Sequence, residues 1–117
     1  MKVSSLAKFP YLISDHARDR FKKRFLKWVH IDKYDSIELI MGELISICKK
    51  IEKKHPSQDS TAWEFDKTID DVHYAGYMIT APGRYKEDNR ITIIKTVLTA
   101  DMIDYFYYAG DYGEMNK

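Results

Sequence analysis

The sequence predicts an α+β domain in which two N-terminal helices and a short C-terminal helix pack on a three- to four-stranded antiparallel sheet. Two observations support this fold class. Apolar residues recur at helical spacing in the first half of the chain, whereas β-branched and aromatic residues form runs in the second half. The chain has 117 residues, 44% of them hydrophobic, which is enough for one core. We therefore expect a single domain over 1–117, with flexible ends at 1–9 and 113–117.

The first elements are a short strand and an amphipathic helix. The run "YLI" at 11–13 follows Pro10, and a proline without an N–H group is typical of a sheet edge. Ser14 is a suitable N-cap for the helix that follows. The apolar positions of this helix recur at spacings of four, four and three, which places them on one face: Ala17, Phe21, Phe25 and Trp28.

A second helix begins near Asp35, which with Glu38 forms a capping arrangement. Its apolar series is Ile37, Ile40, Met41, Leu44, Cys48 and Ile51. Lysines at 49, 50, 53 and 54 complement the negative end of the helix dipole. We expect this helix to end by about His55, because Pro56 follows.

Three strands are predicted from "WEF", "HYAGYMIT" and "RITIIKTVLT". Asp70 and Asp71 form a turn, and a nine-residue loop, "APGRYKEDN", joins the last two strands. The last strand is apolar on both faces and should be central. One face would carry Ile91, Ile93 and Val97, and the other Thr92, Ile94, Thr96 and Leu98. Thr99 is then the cap of a short helix, "ADMIDYFYYAG".

Composition excludes several classes of protein. The net charge is only +1, so a polyanion would have to be met by a local patch. Cys48 is the only cysteine, which excludes an internal disulfide and multi-cysteine zinc sites. The four histidines lack the spacing of a metal site, and the sequence has no glycine-rich phosphate loop. We expect no metal and no cofactor. We also expect a cytoplasmic protein, since no signal peptide or membrane span is visible.

The stretch "ISDHARDRFKKRF" at 13–25 combines one histidine with five basic residues. On a helix, a basic stripe would lie beside the apolar one, formed by His16, Arg20, Lys23 and Lys27 with Arg24 next to them. A phosphate chain along the stripe would meet several donors, and the imidazole could act as a base, an acid or a phosphate ligand. The alternative interpretation is a solvated face whose charges pair with Asp15 and Asp19.

A second group of candidate residues lies on the predicted sheet. Lys95 interrupts an apolar strand, so its side chain must reach an edge or a polar cleft. The preceding loop holds Arg84, Tyr85 and Lys86, and the neighbouring strand holds His73, Tyr74 and Tyr77. Together they could form a concave surface of phosphate ligands and stacking rings. Alternatively, the tyrosines are ordinary sheet residues and the loop cations are solvated.

The stretch "ISDHARDRFKKRF" resembles the start of small RelE-like and BrnT-like proteins, whose first helix often opens with a Ser/Thr-x-His-Ala-x-x-Arg-like sequence after a short strand. The resemblance covers residues 12–24 and, more loosely, "RITIIKTVLT" at 90–99. The order of elements is also similar. This resemblance implies a fold of the barnase and RelE type and a metal-independent endoribonuclease. Such an enzyme cleaves RNA by attack of the ribose 2′-hydroxyl on the adjacent phosphate. By this resemblance His16 and Arg20 are the helix contribution, and Arg84 and Lys95, with Tyr85 or Thr96, the sheet contribution.

The reaction needs a proton acceptor, a proton donor and cations around the phosphate. His16 or Tyr85 could exchange protons, while Arg20, Arg84 and Lys95 could hold the phosphate. The residues expected to contact the rest of the RNA are Lys23, Arg24, Lys27, Lys86 and Tyr77.

A second hypothesis is a non-catalytic interaction protein on a nuclease-like scaffold, for example a phage or mobile-element modulator of a host enzyme. The near-neutral charge and the tyrosine-rich segment "YFYYAGDYGEM" favour it. Its contact residues would be Tyr105, Tyr108 and Tyr112. The expected partner is therefore RNA or a host protein, together with a possible antitoxin or inhibitor, and the oligomeric state is left open.

Overall fold

The computed structural model describes residues 5–8, 10–26, 34–51, 60–84 and 90–103 of the chain. Within these ranges the protein is an α+β fold, as the sequence predicts. Its elements, in chain order, are β1 (Tyr11–Ile13), α1 (Asp15–Phe25), α2 (Tyr34–Ile47), β2 (Lys49–Lys50), β3 (Thr61–Ile69), β4 (Val72–Arg84), β5 (Arg90–Thr99) and a 3₁₀ turn (Ala100–Met102).

The strands form one five-stranded sheet in the order β1-β5-β4-β3-β2. β1 runs parallel to β5, and all other neighbours are antiparallel. The sheet is therefore mixed and larger than the three to four antiparallel strands that we expected. The edge strand β1, predicted at 11–13, makes the sheet mixed because it runs parallel to β5, and β2 is the strand that was not predicted.

Helix α1 begins where the sequence predicts. The Ser14 hydroxyl accepts a hydrogen bond of 3.0 Å from the Ala17 amide, which caps the first turn. Ala17 and Phe21 are completely buried, and the Phe21 ring stacks on Tyr74 of β4 with centroids 5.8 Å apart. The apolar stripe of α1 thus lies on the sheet. Trp28 is outside the described residues.

Helix α2 ends earlier than the predicted boundary near His55. Its last residue is Ile47, and Lys49 and Lys50 pair with Glu64 and Trp63 of β3. These two lysines were expected to stabilise a helix C-terminus, but backbone pairing with β3 draws the chain into a strand instead. Residues 52–59 lie outside the described ranges.

The turn between β3 and β4 is confirmed. Asp70 and Asp71 have φ values of 49° and 67°, which is the left-handed conformation of a tight two-residue hairpin. Both strands extend beyond their predicted lengths. Pro82, Gly83 and Arg84 belong to β4 rather than to a nine-residue loop, because they continue the ladder with β5 as far as Arg90.

Strand β5 contains a bulge. Ile79 pairs with Thr96, but Thr80 pairs with Ile94, so Lys95 is an extra residue on β5. The predicted assignment of faces is therefore wrong beyond this point. Ile94 and Val97 both lie in the helix-side core, although strict alternation places them on opposite faces.

The main core lies between the two helices and one face of the sheet. A smaller cluster occupies the opposite face, where Ala62, Ile79 and Leu98 contact Met102 and Ile103. We call this opposite side the back face. It carries the even-numbered residues of β3 and the odd-numbered residues of β4.

The 3₁₀ turn begins after Thr99, whose hydroxyl donates a 2.6 Å hydrogen bond to the carboxylate of Asp101. This bond lowers the pKa of Asp101. The segment after Ile103, including most of the predicted C-terminal helix, is outside the described residues. At the other end of the chain, Leu6 is buried in the core.

Candidate functional site

Helix α1 takes the place of a strand along part of β5. β1 pairs with β5 only from Thr92 to Ile94. Beyond Ile94, the Ser14 amide donates to the Ile94 carbonyl at 3.2 Å, and the Ser14 hydroxyl donates to the Lys95 carbonyl at 3.3 Å. One guanidinium nitrogen of Arg24 donates to the Val97 carbonyl at 2.7 Å. We call this contact of α1 with residues 94–97 the α1–β5 border.

The basic stripe of α1 is present but only partly available. His16 is exposed, and no hydrogen bond or ion pair to it occurs in the described part of the chain. Arg20 and Lys23 both pair with Asp19, at 3.5 Å and 3.2 Å. Arg20 and Lys23 are thus charge-paired on the helix surface, as the alternative interpretation of the stripe expects.

Arg24 differs from the other residues of the stripe. It is half-buried, and burial together with the positive charge of Arg20 lowers its pKa. Its guanidinium is directed to the Val97 carbonyl. Arg24 therefore positions α1 on the sheet, and the nucleic-acid contact predicted for it would have to use the remaining nitrogens.

Arg18, which was not a candidate residue, joins the two helices. Its guanidinium donates to the Ile13 carbonyl at 2.7 Å and to a Glu38 carboxylate oxygen at 2.9 Å, and it also pairs with Asp15. These contacts hold α2 beside the start of α1, so Arg18 has a structural role.

Lys95 and Tyr77 lie on the back face. The Lys95 ammonium donates to the Ser60 hydroxyl at 3.3 Å, and the side chain as a whole is exposed. The Tyr77 hydroxyl donates to Glu64 Oε2 at 3.5 Å. Because its carbonyl is held by Ser14, Lys95 also adjoins the α1–β5 border. The backbone of Lys95 is therefore close to the first turn of α1, where His16 is located, whereas its ammonium lies at Ser60.

Arg84 lies at a different end of the sheet. It pairs with Arg90 in the last step of the β4–β5 ladder. Arg90 precedes Lys95 by five residues of strand, a backbone distance of about 16 Å at about 3.3 Å per residue. The four predicted residues therefore do not form one cluster. The backbones of His16, Arg20 and Lys95 lie at or beside the α1–β5 border, whereas that of Arg84 lies opposite Arg90 at the start of β5. The remaining candidates lie outside the described residues: Lys27, Tyr85, Lys86, Tyr105, Tyr108 and Tyr112.

On the back face, the predicted residues Tyr77 and His73 are accompanied by Lys49, Glu64 and Asp66, which were not predicted as site residues. Lys49, Glu64 and Tyr77 occupy one row across β2, β3 and β4. Beside this row, His73 Nε2 lies 2.7 Å from Asp66 Oδ1. The sequence "WEFDK" could have indicated this polar surface, because alternate residues of a strand share a face and Glu64 and Asp66 therefore lie on the same side of the sheet.

A shallow pocket lies between α2 and the β3–β4 turn. It is lined by Ser36, Leu39, Ile40, Glu43, Ile69 and Asp70. The Leu39 side chain is 71% exposed. A large apolar side chain at this exposure, next to two carboxylates, is a candidate protein contact.

Nothing in the described ranges indicates a metal centre, since no three His, Cys, Asp or Glu side chains there are grouped to hold an ion. Among the same residues, no helix has the length and hydropathy needed to cross a membrane. Cys48 is buried, and its thiol donates a hydrogen bond to the Ile45 carbonyl at 3.2 Å.

Comparison of the chain with protein-family models, curated proteins and solved structures gave no match. Any function assigned to the chain therefore rests on the residues of the α1–β5 border and of the back face.

Proposed function

We propose that this protein is a cytoplasmic, toxin-like RNA-binding domain that cleaves RNA without a metal ion. The observation that supports the proposal is the attachment of α1 to β5 by Ser14 and Arg24. Because Ser14 binds the Lys95 carbonyl, the backbone of Lys95 lies beside the first turn of α1, which carries His16.

In this proposal the α1–β5 border binds the RNA backbone. Arg20 and Lys95 are cations that can contact phosphate oxygens, and His16 can donate a hydrogen bond to them. Tyr77 on the back face presents a ring on which a base can stack. The ion pair of Arg20 with Asp19, at 3.5 Å, is exposed and would exchange for phosphate at small energetic cost.

The binding test uses a fluorescent single-stranded RNA and a salt titration. Arg20→Ala and Lys95→Ala should each weaken binding and reduce the slope of log K against log salt by about 0.7, as for one phosphate contact to a single strand. Lys22→Ala is the matched control, since Lys22 is an exposed cation of α1 outside the stripe. Equal losses of RNA affinity in all three variants would contradict an RNA-binding site at the α1–β5 border.

The cleavage test follows RNA with and without ribosomes, in the presence of a chelator. We expect fragments that end in a 2′,3′-cyclic phosphate and a 5′-hydroxyl, at a rate that the chelator does not change. Intact RNA under both conditions would refute the nuclease function.

The second candidate function is a non-catalytic interaction module, such as a modulator of a host enzyme. The exposed Leu39 beside the pocket at α2 favours it. Leu39→Asp should then abolish recovery of a single partner from host lysate, whereas Lys8→Asp, at another exposed position, should not. If both variants recover the same partner as the wild type, this contact surface is wrong.

A further inference from the structure

Strand β3 has an outer edge that β2 covers only in part. β2 pairs with this edge at Trp63 and Glu64. Directly after β2, the Ile51 amide donates to the Ala62 carbonyl at 2.9 Å. The other edge of β3 pairs with β4 over its whole length. Within the described ranges, no strand pairs with the outer edge beyond Glu64.

Two residues on this part of the edge, Asp66 and Thr68, direct their backbone groups outward. In a strand, the N–H and C=O of one residue point to the same side, and the side alternates from residue to residue. The Ala62 carbonyl faces the Ile51 amide, and the register of β3 with β4 is regular. The backbone groups of Glu64, Asp66 and Thr68 therefore face the same edge. An edge of this kind can pair with an extended chain.

The pocket at α2 lies beside this edge, on the helix side of the sheet. Its wall at the end of β3 is formed by Ile69 and Asp70, and its helix wall includes Leu39, Ile40 and Glu43. Ile69 packs against the core between the helices and the sheet. Residues directly opposite each other in paired strands point to the same side. Every second side chain of a strand added to β3 would thus point to the helix side, where one of them can enter the pocket.

The pocket suits an apolar side chain of a polymer, with a cation beside it. Its volume is about 270 Å³, below the range of about 300–1,000 Å³ that is typical of pockets for small ligands. Its apolar lining is Leu39, Ile40 and Ile69. Glu43 and Asp70 also line it, and in the described part of the chain neither carboxylate forms an ion pair. Their charge favours a partner with Lys or Arg near the apolar residue.

We propose that this protein binds an extended segment of a partner protein by strand addition at the outer edge of β3, an inference that rests on the second candidate function. The segment hydrogen-bonds to the backbone of Asp66 and Thr68. It inserts an apolar side chain into the pocket and places a lysine or arginine next to Glu43. The α1–β5 border lies towards the other edge of the sheet, so this surface is separate from the proposed RNA-binding site.

The first experiment selects random-sequence peptides displayed on phage, with the full-length protein as the target. We expect a consensus that contains an apolar residue with a lysine or arginine near it. The consensus peptide is then synthesised with a fluorescent label, and its binding is measured by anisotropy. An acidic consensus, or no enrichment of any sequence, would overturn the inference.

N-methylation of the consensus peptide tests the strand pairing itself. In an added strand, alternate amides face β3 and the others face away from it. One set of alternate N-methyl groups should therefore weaken binding by at least about tenfold, because it removes hydrogen bonds to the edge. The other set should leave binding within about twofold of the unmodified peptide. Equal effects of the two sets would contradict strand addition.

Variants of the protein locate the binding surface. Thr68→Pro removes an outward amide, and an edge strand tolerates proline at such a position, so peptide binding should fall by at least about tenfold. Thr68→Val keeps the amide and should bind like the wild type. Leu39→Asp and Glu43→Lys should also weaken binding. Leu12→Asp is the matched control for Leu39→Asp, because Leu12 is an exposed leucine on β1, at the other edge of the sheet.

Circular dichroism shows whether each variant is folded. If Thr68→Pro is unfolded, the exposed position Glu43 and the methylated peptides still decide the question. If Leu39→Asp prevents binding but Thr68→Pro and both methylated peptides bind normally, strand addition is wrong and the second candidate function stands. If none of the variants changes peptide binding, the inference and that function's contact surface fail together. Dimers of the wild type that Thr68→Pro dissociates would assign the edge to a second copy of the chain and overturn the inference.

Discussion

The guanidinium of Arg24 donates a hydrogen bond of 2.7 Å to the carbonyl oxygen of Val97. This carbonyl lies on the part of β5 that β1 does not reach, so the arginine satisfies a backbone acceptor that a neighbouring strand would otherwise bind. A basic residue that the sequence indicates as an RNA ligand is thereby also a connection between helix and sheet.

Arg24→Ala should lower the free energy of unfolding by about 1.5–3 kcal/mol, the usual effect of losing a hydrogen bond to a charged group. Urea denaturation measures it. Lys22→Ala, an exposed change on the same helix, should stay within about 0.5 kcal/mol of the wild type. Equal stabilities of the two variants would show that the Val97 contact contributes nothing.

Ser14 has two roles that substitution can separate. Its hydroxyl caps α1 through the Ala17 amide and also donates to the Lys95 carbonyl. Ser14→Ala should cost about 0.5–2 kcal/mol. Ser14→Asp keeps the cap but cannot donate to Lys95 and should lie between Ser14→Ala and the wild type. Thermal unfolding ranks the three proteins, and a Ser14→Asp variant less stable than Ser14→Ala would contradict the capping role.

Two glycines should respond oppositely to alanine. A Cβ at Gly76 would lie 2.2 Å from the Leu98 carbonyl oxygen and 2.8 Å from the Phe25 ring, whereas a Cβ at Gly42 in α2 meets nothing within 4 Å. Gly76→Ala should therefore destabilise the protein by at least about 2 kcal/mol. Gly42→Ala should stabilise it by about 0.5–1 kcal/mol. Denaturant midpoints distinguish the two effects, and a stabilised Gly76→Ala protein would refute this packing of α1 on β4.

Tyr74 should make the protein less stable at alkaline pH. Burial, and secondarily the charge of Asp70, raise its pKa above the ordinary value of about 10. The folded state then keeps a proton that the unfolded state releases. The stabilisation is complete below about pH 10 and is lost as the pH rises through the higher folded-state pKa.

Thermal melts between pH 8 and pH 11 measure this effect. In Tyr74→Phe the decline above about pH 10 should become shallower, and in Asp70→Asn it should be slightly smaller, because loss of the Asp70 charge brings the folded-state pKa of Tyr74 closer to its ordinary value. Tyr11→Phe, at a less buried position, is the control. If the stability of Tyr74→Phe declines with pH as steeply as that of the wild type, the pH dependence arises from another titratable group.

Helical periodicity was sufficient to predict α1, because its apolar stripe and its cap are both local properties. The end of α2 was not predictable in the same way. The "ICKKI" segment continues a helical pattern, and only pairing of Lys49 and Lys50 with β3 converts it into a strand. Long-range backbone pairing leaves no local signal in the sequence.

The candidate site shows the same limit. Lys95 is conspicuous from sequence, but its position depends on a bulge that period-two alternation cannot reveal. The contact of His73 with Asp66 depends on the register of β3 and β4, which the turn at Asp70 and Asp71 sets. The predicted strand "WEF" ends at Phe65, before Asp66, so the contact of Asp66 with His73 was not predicted.

The parallel pairing of β1 with β5 has a consequence for synthesis of the protein. Ser14 binds Lys95 across a sequence separation of 81 residues. Contacts of such separation form late, since the intervening chain must first be ordered. During translation the N-terminal strand and helix leave the ribosome before β5 exists. The α1–β5 border is therefore completed only after nearly all of the described chain has emerged from the ribosome.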